Sequence, residues 1–191
     1  MSSDPHSDAL SPAPEREADL VAERGGELLD GLDRKRPGSR AHGDRTASWA
    51  VAIAVELALP RETALTVREV ARLHEIGLLY VEPGDDAQAH AAAKLAAGAG
   101  LPDKVCVWLQ HWRERFDGGG PRRMFGGAIP LESRIIRAAC AFATEVAGDD
   151  DPVAALERLG AHADTELDPA TIGAIAFVLD RGAPGGAPNA Q

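Results

Sequence analysis

Cysteine is scarce in this sequence, which holds only Cys106 and Cys140 among its 191 residues. The two lie far apart in apolar, helix-like surroundings, and neither belongs to a CxxC pair. A site built on that motif is therefore excluded. The sequence instead predicts two buried, reduced thiols of the kind found in cytosolic proteins.

Long hydrophobic runs are missing too. No segment approaches the roughly 18 consecutive apolar residues of a membrane helix. Residues 1–5 are polar and acidic, without the basic and apolar regions of a secretory signal. We therefore expect a cytoplasmic protein with no membrane partner.

An excess of positive charge is also absent. The formal net charge is −10 and the isoelectric point is about 5.0, so no basic surface for DNA, RNA or anionic lipid is indicated. A small anionic ligand remains compatible, because a metal ion or a few local arginines can hold one. The hydrophobic content of 45% is that of an ordinary soluble globular protein.

Helical periodicity dominates what the sequence does contain. Strand-like alternation and internal repeats do not occur, so we predict an all-α helical bundle. The predicted helices cover approximately residues 15–32, 40–59, 66–74, 86–97, 102–115, 131–146 and 153–159, with a last helix from residue 169. The helix over 40–59 is apolar on nearly every side, which predicts a central position. Asp168 is predicted to cap the last helix.

The predicted organisation has four parts. Residues 1–14 form a disordered arm and residues 15–39 an accessory helix with a linker. The helical domain covers 40–181, and 182–191 form a disordered tail. The accessory helix is interpreted as a packing helix, with a dimerising helix, and hence a homodimer, as the alternative.

A histidine beside a carboxylate, His74-Glu75, is the main candidate for chemistry. Neighbouring residues on a helix point about 100° apart, so both side chains can reach one cation only near a helix end. Gly77 supplies such an end. A surface or capping pair is the alternative interpretation of this doublet.

Three further histidines, His42, His90 and His111, lie on or beside predicted helices. Imidazole and carboxylate ligands together suit Fe, Mn, Zn or Ni better than Ca or Mg. Ligands dispersed over several helices are a usual way to build such a site in a bundle. Histidines that are merely exposed or hydrogen-bonded are the alternative, and periodicity does not choose between the two.

Four short motifs in order along the chain resemble landmarks of the HD-GYP family, which belongs to the HD superfamily of metal-dependent phosphohydrolases. They are His42-x-x-Arg45, Leu73-His74-Glu75-Ile76-Gly77, Glu114-Arg115-Phe116-Asp117-Gly118 and Ile129-Pro130-Leu131-x-x-Arg134-Ile135. The resemblance continues in Leu156-x-x-Leu159 and Leu167-Asp168-Pro169, so it spans roughly residues 40–181. It implies an HD-GYP-type helical bundle.

The resemblance also implies a chemistry. Members of this family hold two or three metal ions and hydrolyse cyclic di-GMP, a bacterial second messenger. Two neighbouring cations can generate a hydroxide and clamp a phosphate for attack. Carried over by position, the metal ligands would be His42, His74, Glu75 and His90, with Glu75 in place of the usual aspartate of the doublet.

Several family positions carry other residues here. Trp112 and Arg113 stand where two histidines belong, Leu78 replaces a lysine, and the late aspartate is Cys140. The aspartate three residues further on is Ala143, and the GYP signature is reduced to Gly120-Pro121. With four matched ligands at most, we expect one divalent metal ion or a metal-free bundle. Cys140 is interpreted as a small buried hydrophobic residue, with ligation of a soft metal as the alternative.

These departures predict a catalytically degenerate domain of cyclic di-GMP signalling that binds a small phosphate-containing ligand or a signalling protein. An active metal-dependent phosphodiesterase with an incomplete metal shell is the alternative, and a purely structural scaffold is a third interpretation. Arginines around the glycine-rich segment 116–121 and the loop that follows it, together called the glycine-rich loop, are the candidates for phosphate contact. They are Arg113, Arg115, Arg122 and Arg123. A merely solvated basic loop is the other interpretation of these four.

Overall fold

A computed structural model describes residues 15–84, 86–147 and 151–182. The predicted arm over 1–14 lies outside the described residues, as does the predicted tail apart from Gly182. Within the described ranges there is no β-strand, only one β-bridge between Ala163 and Leu167. The prediction of an all-α bundle is therefore confirmed.

Eight α-helices follow one another in the described part of the chain. They are α1 (Glu15–Lys35), α2 (Ser39–Glu56), α3 (Arg61–Arg72), α4 (Gln88–Gly98), α5 (Asp103–His111), α6 (Leu131–Val146), α7 (Pro152–Gly160) and α8 (Pro169–Asp180). Short 3-10 turns at Ile76–Leu79 and Gly126–Ala128 precede α4 and α6. None of the helices in these ranges combines the length and hydropathy needed to cross a bilayer.

Helix α2 is the central element, as its all-round apolar character predicts. It packs against α1, α3, α6 and α8. The indole of Trp49 on α2 meets the ring of Phe142 on α6 edge-on, with 4.6 Å between the ring centroids. Ile53 and Phe142 are completely buried. This contact between α2 and α6 forms the middle of the hydrophobic core.

Helix α1 packs against the bundle and is tied to it by hydrogen bonds. Its apolar residues Val21, Leu29 and Leu32 are buried. At its end, the ammonium group of Lys35 donates to the carbonyl oxygens of Leu78 (3.3 Å) and Leu79 (2.7 Å) in the first 3-10 turn. The last turn of α1 is thus fixed to the segment that follows the His74-Glu75 doublet.

The break between α1 and α2 is short. Gly38 adopts a left-handed conformation with a φ of 97°, which glycine tolerates without steric cost. Asp33 accepts hydrogen bonds from the backbone N–H groups of Gly38 (3.1 Å) and Arg40 (3.0 Å). These bonds satisfy donors that would otherwise be left free at the start of α2. The helix therefore begins in a fixed direction a few residues before His42.

Two helix boundaries differ from the prediction by four residues or more, and one cap is confirmed. Helix α3 begins at Arg61, before residue 66, because Pro60 opens a polar first turn without apolar periodicity. Helix α5 ends at His111 instead of residue 115. The carboxylate of Asp168 accepts a hydrogen bond from the Ala170 N–H (2.9 Å) and caps α8 as expected.

Candidate metal centre

The doublet lies in the turn that follows α3. The helix ends at Arg72, and His74 is completely buried. Its Nδ1 lies 2.7 Å from the carbonyl oxygen of Ala71, which can only accept, so Nδ1 carries the proton. The other ring nitrogen, Nε2, is then an unprotonated acceptor, and it is buried without a hydrogen-bond partner.

A close helix crossing brings His42 to His74. A Cβ atom added to Gly43 would lie 2.7 Å from the carbonyl oxygen of Arg72, so only glycine lets α2 approach the end of α3 this closely. His42 is the residue directly before Gly43. Its ring centroid lies 5.2 Å from that of His74, with the ring planes at 52°.

Helix α6 supplies a third donor. The Sγ atom of Cys140 lies 3.7 Å from Nε2 of His42. One donor atom from each of His42, His74 and Cys140 lies within 4.8 Å of the others. We call these three residues the donor cluster. Two imidazoles and a thiol at such distances can hold a metal ion.

Burial keeps His74 and Cys140 uncharged when no metal is bound. The pKa of His74 is lowered to about 3, mainly by burial and also by the neighbouring His42, while the hydrogen bond to Ala71 acts in the opposite direction. The pKa of the Cys140 thiol is raised to about 12, mainly by burial and also by the negative charge of Glu75. At neutral pH the metal-free protein therefore holds a neutral imidazole and a neutral thiol at these two positions.

Trp112 closes one side of the donor cluster. Its indole is buried and meets the His74 ring edge-on at a centroid distance of 4.8 Å and an interplanar angle of 89°. The next residue, Arg113, turns away to donate to the side-chain oxygen of Gln88 (2.6 Å). An apolar ring and a hydrogen-bonded arginine thus occupy the two positions where the family pattern has histidines.

Glu75 and His90 lie outside the donor cluster. The Glu75 carboxylate is near enough for its charge to act on Cys140, but it is not among the mutually close donor atoms. His90 is exposed on α4, with its Nδ1 3.5 Å from the guanidinium of Arg122. The structure thus brings together His42 and His74 of the four predicted ligands and adds Cys140.

The predicted phosphate-contacting arginines have different surroundings. Arg115 forms ion pairs with Asp117 (2.7 Å) and Glu166 (2.8 Å). Arg122 and Arg123 are exposed on the glycine-rich loop. The exposed Arg122 thus places its guanidinium beside His90 and against the side-chain amide of Gln110, while the charge of Arg115 is compensated within the fold.

A buried carboxylate holds the glycine-rich loop. Glu114 is 3% exposed, and it accepts hydrogen bonds from the backbone N–H groups of Arg122 (2.9 Å) and Met124 (3.3 Å). A Cβ atom at Gly120 would lie 2.6 Å from both the Arg115 amide nitrogen and the Glu114 carboxylate. Glycine at this position therefore lets the loop fold over Glu114.

A cavity of about 300 Å³ reaches the donor cluster. Trp112 and Cys140 line it together with Arg137 and His162. The carboxylate of Glu166 also lines it and accepts from the Arg137 guanidinium (3.1 Å). One side of Cys140 thus faces His42, and the same residue borders a space that a small ligand can enter.

Cys140 is the site residue that sequence periodicity could not identify. It lies on the partly apolar helix α6, where a thiol that packs and a thiol that binds metal give the same pattern. The signal that pointed to it was its position in the resemblance, where it stands in place of the late aspartate. Its contact with His42, which is 98 residues away, appears only in three dimensions.

The fold is that of HD-domain helical bundles among the solved structures. The chain is similar to the cyclic GMP-AMP-specific phosphodiesterase V-cGAP3 of V. cholerae, with a TM-score of 0.70 and 16% sequence identity over 87% of this chain and 49% of that one. This chain thus spans about half the length of that phosphodiesterase.

Two further solved structures share the fold. Bd1817, an HDG"Y"P protein from Bdellovibrio bacteriovorus, matches with a TM-score of 0.66 and 13% identity over 91% of this chain and 75% of that one. The HD domain of the L. monocytogenes phosphodiesterase PgpH was solved in complex with cyclic-di-AMP. It matches with a TM-score of 0.59 and 16% identity over 80% of this chain and 93% of that one. No protein-family profile and no curated protein sequence matches the chain.

Proposed function

We propose that this chain is a cyclic-dinucleotide-binding domain of HD-GYP type that has lost the two-metal hydrolytic centre. The observation that carries this proposal is the contact of Trp112 with His74, at 4.8 Å between ring centroids. An apolar ring at this position offers no ligand for a second cation next to the first. The two-cation route to phosphodiester cleavage therefore lacks its second site.

The ligand class is supported by the similar structures and by the loop. V-cGAP3 is described as specific for cyclic GMP-AMP, and the PgpH HD domain was solved with cyclic-di-AMP. On this chain, Arg122 projects from the glycine-rich loop next to the exposed His90. Arginine suits planar, bidentate recognition of phosphate. We therefore assign phosphate contact to Arg122 and its neighbour Arg123, with Arg115 as a support of the loop. Arg113 lies earlier in the chain and donates to Gln88.

Titration calorimetry of the full chain with cyclic di-GMP, cyclic GMP-AMP and cyclic di-AMP tests this proposal. We expect at least one of them to bind, and Arg122→Ala to weaken it by roughly tenfold or more, since a charge-assisted hydrogen bond contributes about 1.5–3 kcal/mol. Arg181→Ala is the matched control, because Arg181 pairs with Glu56 near the end of α8 and is remote in sequence from the loop. Absence of binding by all three dinucleotides would refute the proposal.

A second candidate function is a one-metal phosphodiesterase. It is favoured by the donor cluster, because three protein donors leave a coordination position for water. Chromatography of each dinucleotide after incubation with protein loaded with Zn, Mn or Fe separates the two functions. A binding domain returns the intact dinucleotide. Turnover that His74→Ala abolishes would establish the enzyme instead.

A further inference from the structure

The donor set of the cluster defines which metal it binds. His42 and His74 offer imidazole nitrogens, and Cys140 offers sulfur in place of the carboxylate oxygen of the family pattern. Carboxylate oxygen suits Mg, Ca and Mn, whereas thiolate sulfur selects softer ions such as Zn. Exchanging one oxygen donor for sulfur therefore changes the chemical class of the site.

The spacing of the donors fits a zinc ion. Zinc bonds to sulfur at about 2.3 Å and to nitrogen at about 2.0–2.1 Å, so a tetrahedral ion separates these two ligands by about 3.6 Å. The observed distance between Cys140 Sγ and His42 Nε2 is 3.7 Å. These two side chains therefore need little rearrangement to share one ion.

The buried acceptor on His74 independently points to a ligand. Its Nε2 has no hydrogen-bond partner, although the residue is completely buried. Leaving a polar atom unsatisfied in this way is unfavourable. The hydrogen bond from Nδ1 to the Ala71 carbonyl fixes the ring and its tautomer, as commonly happens behind metal-binding histidines. A cation among the three donors would satisfy Nε2.

We infer that His42, His74 and Cys140 form a zinc site in which Cys140 binds as a thiolate, so that this domain prefers zinc to manganese or magnesium. The thiol loses its proton to solvent when the ion binds. This inference goes beyond the proposed function and does not depend on it. Zinc binding is measured without any nucleotide, so the zinc inference and the proposed dinucleotide binding can be refuted separately.

The first test is equilibrium binding of Zn and Mn to the full chain after removal of metals with a chelator. We expect one zinc ion per chain and a large preference for zinc. Cys140→Asp restores an oxygen donor and should lower the ratio of zinc to manganese affinity by at least about tenfold. Cys106→Ser is the matched control, because Cys106 lies on α5 outside the cluster, and it should leave the ratio unchanged.

The second test reads the sulfur ligand directly. Cobalt is a spectroscopic substitute for zinc, and a thiolate ligand gives it a charge-transfer band in the near ultraviolet. We expect this band in the wild type and in Cys106→Ser, and its loss in the nearly isosteric Cys140→Ser. Circular dichroism confirms that each variant is folded. A wild-type cobalt complex without the band would overturn the inference.

The third test distinguishes the donor cluster from the ligand set of the family resemblance, which includes His90 and lacks Cys140. His90→Ala should keep zinc affinity, because His90 is exposed beside Arg122. His74→Ala should lower it by more than about 100-fold, since even the loss of a group behind a ligand costs about 10- to 100-fold. If His90→Ala abolishes zinc binding while Cys140→Ser does not, the ion is held by another set and the inference is wrong.

Discussion

Gly43 of α2 lies directly against the carbonyl group of Arg72 at the end of α3, and this contact sets the distance between His42 and His74. A Cβ atom at position 43 would come within 2.7 Å of that oxygen, which belongs to the backbone and cannot rotate away. The geometry of the donor cluster is therefore decided by a residue that has no side chain.

Gly43→Ala should destabilise the protein and disturb the cluster together. Forcing the two helices apart should cost about 1–3 kcal/mol, the usual cost of overpacking, and should weaken metal binding. Urea denaturation gives the free energy of unfolding. Gly26→Ala is the control, because nothing lies within 4 Å of its added Cβ in α1. That variant should gain up to about 1 kcal/mol of helix propensity. Equal unfolding free energies and equal metal binding in the two variants would show that the crossing of α2 and α3 does not position the donor cluster.

Glu114→Gln should loosen the glycine-rich loop. The carboxylate is buried and holds the N–H groups of Arg122 and Met124, so weakening both bonds should cost about 1–3 kcal/mol. Hydrogen exchange at those two amides should accelerate more than exchange in the core of α6. Glu23→Gln alters an exposed carboxylate of α1 and serves as the control. Unchanged exchange at both amides would show that Glu114 does not hold the loop.

Stability of the metal-free protein should fall in mild acid because of His74. Its pKa is lowered from 6.5 to about 3 in the folded state, so between these values the unfolded chain binds a proton that the folded chain excludes. The contribution is complete above about pH 6.5 and is lost as the pH falls towards 3. The surrounding groups are His42 from α2, Cys140 from α6, the neutral ring of Trp112 and the charge of Glu75.

Urea denaturation between pH 4 and pH 8 with a chelator present measures this effect. His74→Gln, which cannot take up the proton, should flatten the profile. His90→Ala should retain it, because His90 is exposed. A profile that keeps its full slope in His74→Gln would assign the acid sensitivity to another group.

Trp112→His should raise the metal content of the protein. The substitution places an imidazole beside His74, where the indole now packs at 4.8 Å, and an added nitrogen donor favours a second ion. Elemental analysis after saturation with zinc measures the stoichiometry. Tyr80→His, at a residue that is 76% exposed, adds the same group elsewhere and should not change it. A folded Trp112→His protein with unchanged metal content would show that Trp112 does not limit the number of bound ions.

Much of the fold could be predicted from the sequence because helices are encoded largely by local sequence patterns. The helix over residues 131–146 coincides with α6, since Pro130 precedes it and its apolar residues recur at helical spacing. The central position of α2 followed from its lack of a polar face. The start of α3 was missed because its first turn is polar and exposed.

The site was harder to predict, because it depends on where helices cross. From the sequence, His42, His74, Glu75 and His90 are equally good candidates for metal ligands. In the structure, however, His90 is exposed on α4, whereas His42 lies beside His74. The difference arises from the contact of Gly43 with Arg72, which no periodicity encodes. Cys140 was interpreted as a packing residue because its local sequence contains no sign of a partner 98 positions away.

The hydrogen bonds from Lys35 to Leu78 and Leu79 give the N-terminal helix a mechanical connection to the interior. A shift of α1 would be transmitted through these bonds to Leu78 and Leu79, in the turn that follows the His74-Glu75 doublet. A protein that binds α1 would therefore be able to shift the buried His74 imidazole without contacting it. Metal binding by the donor cluster would then change when that protein binds.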